Sequence, residues 1–362
     1  LVSVVMGGGY GTGREVVEYF SRYGTLGGLL GLSVSGLVFA LVISLTFELA
    51  RMERAYDYRS FFRMLIGRFW PAFEVLYVVL LLLVLGVIGS ASGQIIDDRF
   101  GVPTEISTVL MLVLIATIVV AGRAGVTKFL TYWCFVMYAV FVAYFIAVFI
   151  DRGDSITLAF REANVQHGWM TAGLIYPMYN LAAVPAVLFA VRGIESRRDS
   201  IVAGVISALL LVAPAAMFHV SYAGNLGQVA ELEIPNYWMV EDIGIGLLTF
   251  VFVIAVFGTL IETGVGLIHG VIERIESVTF SPEKQTLSPG SRAVFAIACI
   301  SLAGVLSSFG VITLIAKGYS MLAIGFALVY VLPLCTIGMY RIATRSAHRP
   351  NGQSTRTVDE AS

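Results

Sequence analysis

The sequence predicts an all-α polytopic membrane protein built from ten transmembrane segments in two inverted halves of five, and three observations carry that prediction. Hydrophobic residues fill 58% of the 362 positions and charged residues only 13%, with a mean hydropathy of +0.87, a balance that soluble domains do not reach. Ten stretches are long and apolar enough to cross about 30 Å of hydrocarbon. The first and the sixth of them are interrupted, and counting five from each interruption gives halves of 1–152 and 169–345. An odd number of crossings per half makes the repeats inverted. Paired broken helices opening inverted halves mark a secondary transporter whose substrate sits near the midplane.

The segments run 1–22, 25–50, 70–96, 104–121, 126–150, 169–192, 200–222, 242–272, 291–314 and 318–342. The first carries GGGYGTG over Gly7 to Gly13, followed at once by Arg14 and Glu15. Each glycine costs a helix about 1 kcal/mol relative to alanine, and an ionised side chain at bilayer depth costs about 3 kcal/mol or more. A chain that keeps both in one place is expected to use the place. In the sixth, Tyr176-Pro177-Met178-Tyr179-Asn180 is followed by Pro185, and proline removes a backbone donor and crowds the preceding turn. Between the second and third, Tyr58 to Trp70 mixes aromatics with arginines, the pattern of a helix lying in the membrane interface. Gly224 to Asp242, on the other side, is acidic and aromatic and suits a cap over a vestibule. The tail 346–362 is polar and expected to be disordered.

Basic residues should gather on cytoplasmic loops. With the N-terminus inside, seventeen Lys and Arg fall on that side and five on the other, which with Arg14 accounts for all 23. Both termini are therefore expected in the cytoplasm of a cell whose inner membrane holds the protein. Cys134, Cys299 and Cys335 lie far apart in apolar runs, with no disulfide framework or metal cluster. The chain opens on Leu1, and its first stretch lacks a basic n-region and an A-x-A site, so no signal peptide is read and a short preceding piece is expected to be missing. The formal charge of -1 is uninformative about nucleic acid, which is not an expected partner.

An unwound membrane segment offers amides to anions and carbonyls to cations. Gly9, Tyr10, Gly11, Thr12 and Gly13 are therefore candidates for substrate contact, with the amides of Gly11 to Gly13 suited to a carboxylate. Arg14 and Glu15 diverge by about 100° on a helix. Arg14 reads a substrate carboxylate or pairs with a carboxylate such as Glu262, while Glu15 binds a substrate amine or holds a proton. Tyr176, Tyr179 and Asn180 bring hydroxyls and an amide to the second interruption. On the eighth segment Glu262 lies about 18 Å from Arg274, and Thr259 and Thr263 share its helical face. Hydroxyls of that kind suit sodium, whereas a protonatable Glu262 suits proton coupling; the alternative is threonines bonded back to their own helix. His219 and His269 are expected at the interface. No cofactor is expected beyond such a coupling ion, and no hydrolytic, redox or phosphate-loop motif is present, so the chain is not read as an enzyme.

The run GGGYGTGREVVEYF resembles the opening helix of the YkvI-like membrane proteins, in which a G-x-G-aromatic-small-small-G-polar-E pattern is characteristic. That family is similar to the amino acid, polyamine and organocation superfamily, which has the LeuT fold. The resemblance implies Gly7, Gly9, Tyr10, Gly11, Gly13 and Glu15 as the first break, Asn180 at the second, substrate between the first and sixth helices, and sodium between the first and eighth at Thr259 and Thr263. Arg14 departs from the neutral polar residue expected there. The function implied is cation-coupled symport of an amino acid or similar small zwitterion by alternating access. The alternative is a non-transporting receptor that senses an amino acid through the same pocket. Substrate identity and oligomeric state are not legible.

Overall fold

A computed structural model describes residues 8–121, 123–279 and 287–347. Gly7, Lys284 and the tail from 348 onward lie outside the described residues; Ser346 and Ala347, expected in that tail, instead finish the last helix. Nine helices among the described residues are long and apolar enough to span a membrane. The tenth expected segment, the first, is described from Gly8 and consists of two short helices, α1 (Gly8–Thr12) and α2 (Arg14–Tyr19). Its glycines are the reason it is not one long rod.

The long helix α3 (Thr25–Glu53) follows, then α4 (Tyr58–Ile66), α5 (Pro71–Phe100), α6 (Thr104–Ala121) and α7 (Arg123–Arg161). Helix α7 passes the expected end of its segment and kinks at Arg152, where the backbone leaves helical angles. Asp57 caps α4 by accepting the Ser60 N–H at 2.8 Å, as an N-cap carboxylate does. The apolar face of α4 is not laid on lipid as its pattern suggests. Phe61, Phe62 and Leu65 are buried, with Phe62 stacked on Phe73 at 3.9 Å and edge-on to Tyr330. The arginines of the other face stack over Trp70, Arg59 at 5.1 Å and Arg63 at 5.4 Å.

The sixth segment stays helical throughout. It is α8 (Trp169–Asn180) and then a 3-10 helix, Leu181–Gly193, so the expected interruption takes the form of a change of winding directly after Asn180. Thirteen residues is long for a winding that rarely exceeds four; Pro185, inside it, cannot donate an α-type bond. Helix α9 (Arg197–Tyr222) opens with a reciprocal Ser196–Asp199 capping box. Short α10 (Leu226–Val229) and α11 (Pro235–Asp242) occupy the loop before α12 (Gly246–Thr279). After α13 (Pro289–Ser307) the chain turns at Gly310 into the last span, Val311–Thr344. The turn falls seven residues earlier than the sequence pattern places it. Lys317, expected in the loop, is therefore inside the helix, on the first of three π-helical stretches, Leu314–Tyr319.

Helices α3 and α9 pack along each other, α8 lies against α3 and the last span, and α5, α6 and α13 form a second group. Helix α12 packs on α5 and α6 of the second group and also touches α1 and α7. The broken first segment is thereby enclosed, and every described residue from Gly9 to Ser21 is buried.

Candidate functional site

The break is a single left-handed residue, Gly13, at φ +79°. Its N–H still donates to the Gly9 carbonyl at 3.1 Å, and its own carbonyl accepts from Val17 at 3.2 Å. Helix α1 therefore ends, and α2 begins, at the same residue. The polarity of that junction differs from the expectation that Gly11 to Gly13 present free amides. Because α1 is wound up to Thr12, its end presents carbonyls. Those of Tyr10 and Gly11 accept from the Asn236 amide at 2.8 and 3.3 Å. Thr12 donates to the Gly9 carbonyl at 3.1 Å and its oxygen accepts the Arg14 N–H at 3.3 Å.

Asn236 is the residue at this junction that sequence reasoning missed. It belongs to α11, in the loop singled out as a cap, and is fully buried; its side-chain oxygen accepts from the Tyr222 hydroxyl. The legible signal was a lone amide after Ile234-Pro235, since a buried amide needs partners. Asn236→Ala is expected to destabilise the protein by about 1–3 kcal/mol, because two carbonyls and a hydroxyl lose their partner. Hydrogen–deuterium exchange should accelerate over Leu226 to Asp242; unchanged exchange there would mean that Asn236 does not fasten the loop.

Arg14 is 4% exposed and turns toward that same loop. It donates to the carbonyls of Ala230 at 2.7 Å and Leu232 at 2.9 Å, and pairs with Glu18 at 3.0 Å. Its ion pair is thus one turn along its own helix rather than with Glu262. Glu18 also takes Arg22. Farther out, Arg152 pairs with Asp242 and Arg99 with Glu241, so two ion pairs hold the C-terminal end of α11.

Glu15 points the other way, as the 100° step demands. Its carboxylate is 5% exposed and accepts from the Tyr179 hydroxyl at 2.8 Å. It lies against the Cα of Gly9, where a Cβ would collide with it. Tyr19, Tyr176, Tyr179 and Tyr319 surround this acid, their successive ring centroids 4.8 to 5.8 Å apart. Tyr10 meets Tyr176 edge-on at 6.4 Å and donates to the Leu211 carbonyl at 2.8 Å. The buried Tyr176 hydroxyl makes no hydrogen bond among the described residues. Asn180 donates back to the Tyr176 carbonyl at 3.0 Å. The structure thus gathers Gly9, Tyr10, Glu15, Tyr176 and Tyr179 around one point, with Asn180 one turn beyond.

The three residues of the eighth segment are buried in α12, which packs on α1 where Val256 meets Gly11. Thr259 donates to the Ala255 carbonyl and Thr263 to the Thr259 carbonyl, each at 2.8 Å. Both hydroxyls are therefore bonded back to their own helix, with oxygen lone pairs left over. His219 is not interfacial: it is buried, with Nδ1 2.9 Å from the Ser21 hydroxyl and Nε2 2.8 Å from the Thr25 carbonyl.

A multi-span bundle with a glycine-broken first segment against a twice-wound sixth defines the class: a helical membrane protein with the fold of LeuT-type transporters. Two solved structures share that fold. One is a Na+-coupled sialic acid symporter in a substrate-bound outward-open state, at TM-score 0.50 and 12% identity over 91% of this chain and 79% of the other. The second is a manganese transporter of Eremococcus coleocola, at TM-score 0.56 and 12% identity over 92% and 76%. Among curated proteins, the chain is a homologue of the uncharacterized membrane protein YkvI of Bacillus subtilis, 24% identical over 329 residues, which is 88% of this chain and 89% of that protein. No family model matches the chain.

Proposed function

We propose that the chain is a cation-coupled secondary transporter that carries an amino acid or similar small zwitterion by alternating access. The observation that carries this reading is the buried Glu15 carboxylate beside the left-handed break, facing the unpartnered Tyr176 hydroxyl of the sixth segment. A buried acid in a membrane interior is costly to keep without a task. In this reading ten crossings form two inverted halves, 1–152 and 169–345, with α1 and α2 counted as the first crossing and both termini in the cytoplasm. Glu15 takes the substrate ammonium, and Tyr176, Tyr179 and Asn180 line the pocket. The substrate carboxylate goes to the backbone of Gly11 to Gly13, which must first give up the bond from the Gly13 N–H to the Gly9 carbonyl. Sodium binds at Thr259 and Thr263, whose lone pairs suit a hard cation, or Glu262 takes a proton instead. Arg14 and Asn236 hold the loop before α12 over the break, closing the outer side.

Purified protein in liposomes, loaded with a panel of radiolabelled amino acids under an imposed sodium or proton gradient, tests the proposal. Accumulation of at least one substrate against its gradient is expected, abolished when the driving gradient is collapsed. Saturable binding with no accumulation under either gradient would overturn transport and leave a receptor that senses through the same pocket.

A further inference from the structure

A cavity of about 500 Å³ lies away from the break, between α5, α6 and α13 and beneath the loop that precedes α11. Its wall is chemically one-sided. Glu105 enters from the first turn of α6, and Glu233 enters from the loop, its carboxylate beside Gly310, where a Cβ would lie 3.1 Å away. Three of the hydroxyls that line it have spent their protons elsewhere. Thr104 donates to Asp97 at 2.8 Å, Thr108 to the Gly89 carbonyl at 2.9 Å and Ser307 to the Gly304 carbonyl at 2.7 Å. A hydroxyl that has donated offers only lone pairs to its other neighbours. The side-chain carbonyl oxygen of Gln94 is buried there with no hydrogen-bond partner. No Lys, Arg or His is among the residues that line the space.

We infer that this cavity is a binding site for a small organic amine in its ammonium form, separate from the pocket at Glu15. Two carboxylates and at least three hydroxyl oxygens form a wall that accepts hydrogen bonds and carries negative charge. The complementary ligand donates several hydrogen bonds and carries positive charge, as an alkylammonium does. The volume exceeds what a bare metal ion needs and falls within the range of small-molecule sites. The carboxylates come from two different elements, so an amine with a charge at each end engages both. This inference does not rest on the transport reading, since the cavity shares no residue with the break.

The test is calorimetric titration of the full chain in detergent micelles with 1,4-diaminobutane. Saturable binding is expected, weakened about tenfold or more in E105Q/E233Q, a change of about 1.4 kcal/mol per tenfold. Gly304→Leu supplies a second variant that leaves both acids in place. A Cβ at Gly304 meets only Leu112, at 4.0 Å, so the added side chain has room to occupy the cavity and is expected to abolish binding. The inference is overturned by absent saturation, by undiminished binding in E105Q/E233Q or in Gly304→Leu, or by calcium displacing the diamine at equal concentration.

Discussion

Glu15→Gln is expected to lower substrate uptake by at least about thirtyfold, with the loss in apparent KM as well as rate, while the protein remains folded. The amide keeps an oxygen for the Tyr179 hydroxyl, so the tyrosine cluster retains its central acceptor. What disappears is the negative charge. Deleting one partner of a buried ammonium–carboxylate pair costs about 2–5 kcal/mol, and about 1.4 kcal/mol is a factor of ten. A neutral amide also does not titrate, so acidifying or alkalinising the medium should not restore uptake in the variant. A melting temperature near that of the parent, measured alongside, separates lost charge from lost fold. Uptake by Glu15→Gln with an unchanged KM would remove Glu15 from the substrate site.

Gly13→Ala attacks the break itself and is expected to destabilise the protein on two counts. At φ +79° an L side chain is strained by about 1–2 kcal/mol. The added Cβ would also collide with the Tyr222 hydroxyl and come within 2.8 Å of the Asn236 side chain, overpacking that costs about 1–3 kcal/mol more. The sum, about 2–5 kcal/mol, should lower the thermal midpoint clearly in detergent. Adding Asn236→Ala removes the Asn236 part of the collision but neither the Tyr222 part nor the backbone strain, so the double variant should lose less than the sum of its parts. Strict additivity would show that the two residues do not touch.

The fold was legible where hydrophobicity decides it. Segments such as α3, α5 and α6 are continuous apolar runs, and their lengths alone set them across a bilayer. The break at Gly13 was legible because a glycine run has a backbone cost that no apolar composition hides. The sixth segment was only half legible. Pro177 and Pro185 announce a disturbance, but whether the chain unwinds or merely tightens depends on neighbours such as Phe39 and Tyr19, whose rings lie against Tyr176. The direction of Arg14 was beyond reach for a similar reason. Its partners Ala230 and Leu232 are backbone carbonyls more than two hundred residues away, and carbonyls have no sequence signature. Tyr319 joined the tyrosine cluster unannounced, because its segment reads as an ordinary apolar helix until three-dimensional packing brings it to Tyr179. Charge bias says nothing of which loop residues are buried, and Asn236 escaped through that gap.

The long 3-10 stretch after Asn180 is also a store of length. A 3-10 helix rises about 2.0 Å per residue and an α-helix about 1.5 Å, so rewinding the thirteen residues of Leu181–Gly193 as α-helix would shorten that half of the segment by about 6 Å. That is slightly more than one α-helical pitch. A segment held at its Trp169 end would draw Gly193 and the following Arg197 inward by that amount without bending anywhere. Winding alone thus gives the sixth segment a stroke comparable to a one-turn ratchet.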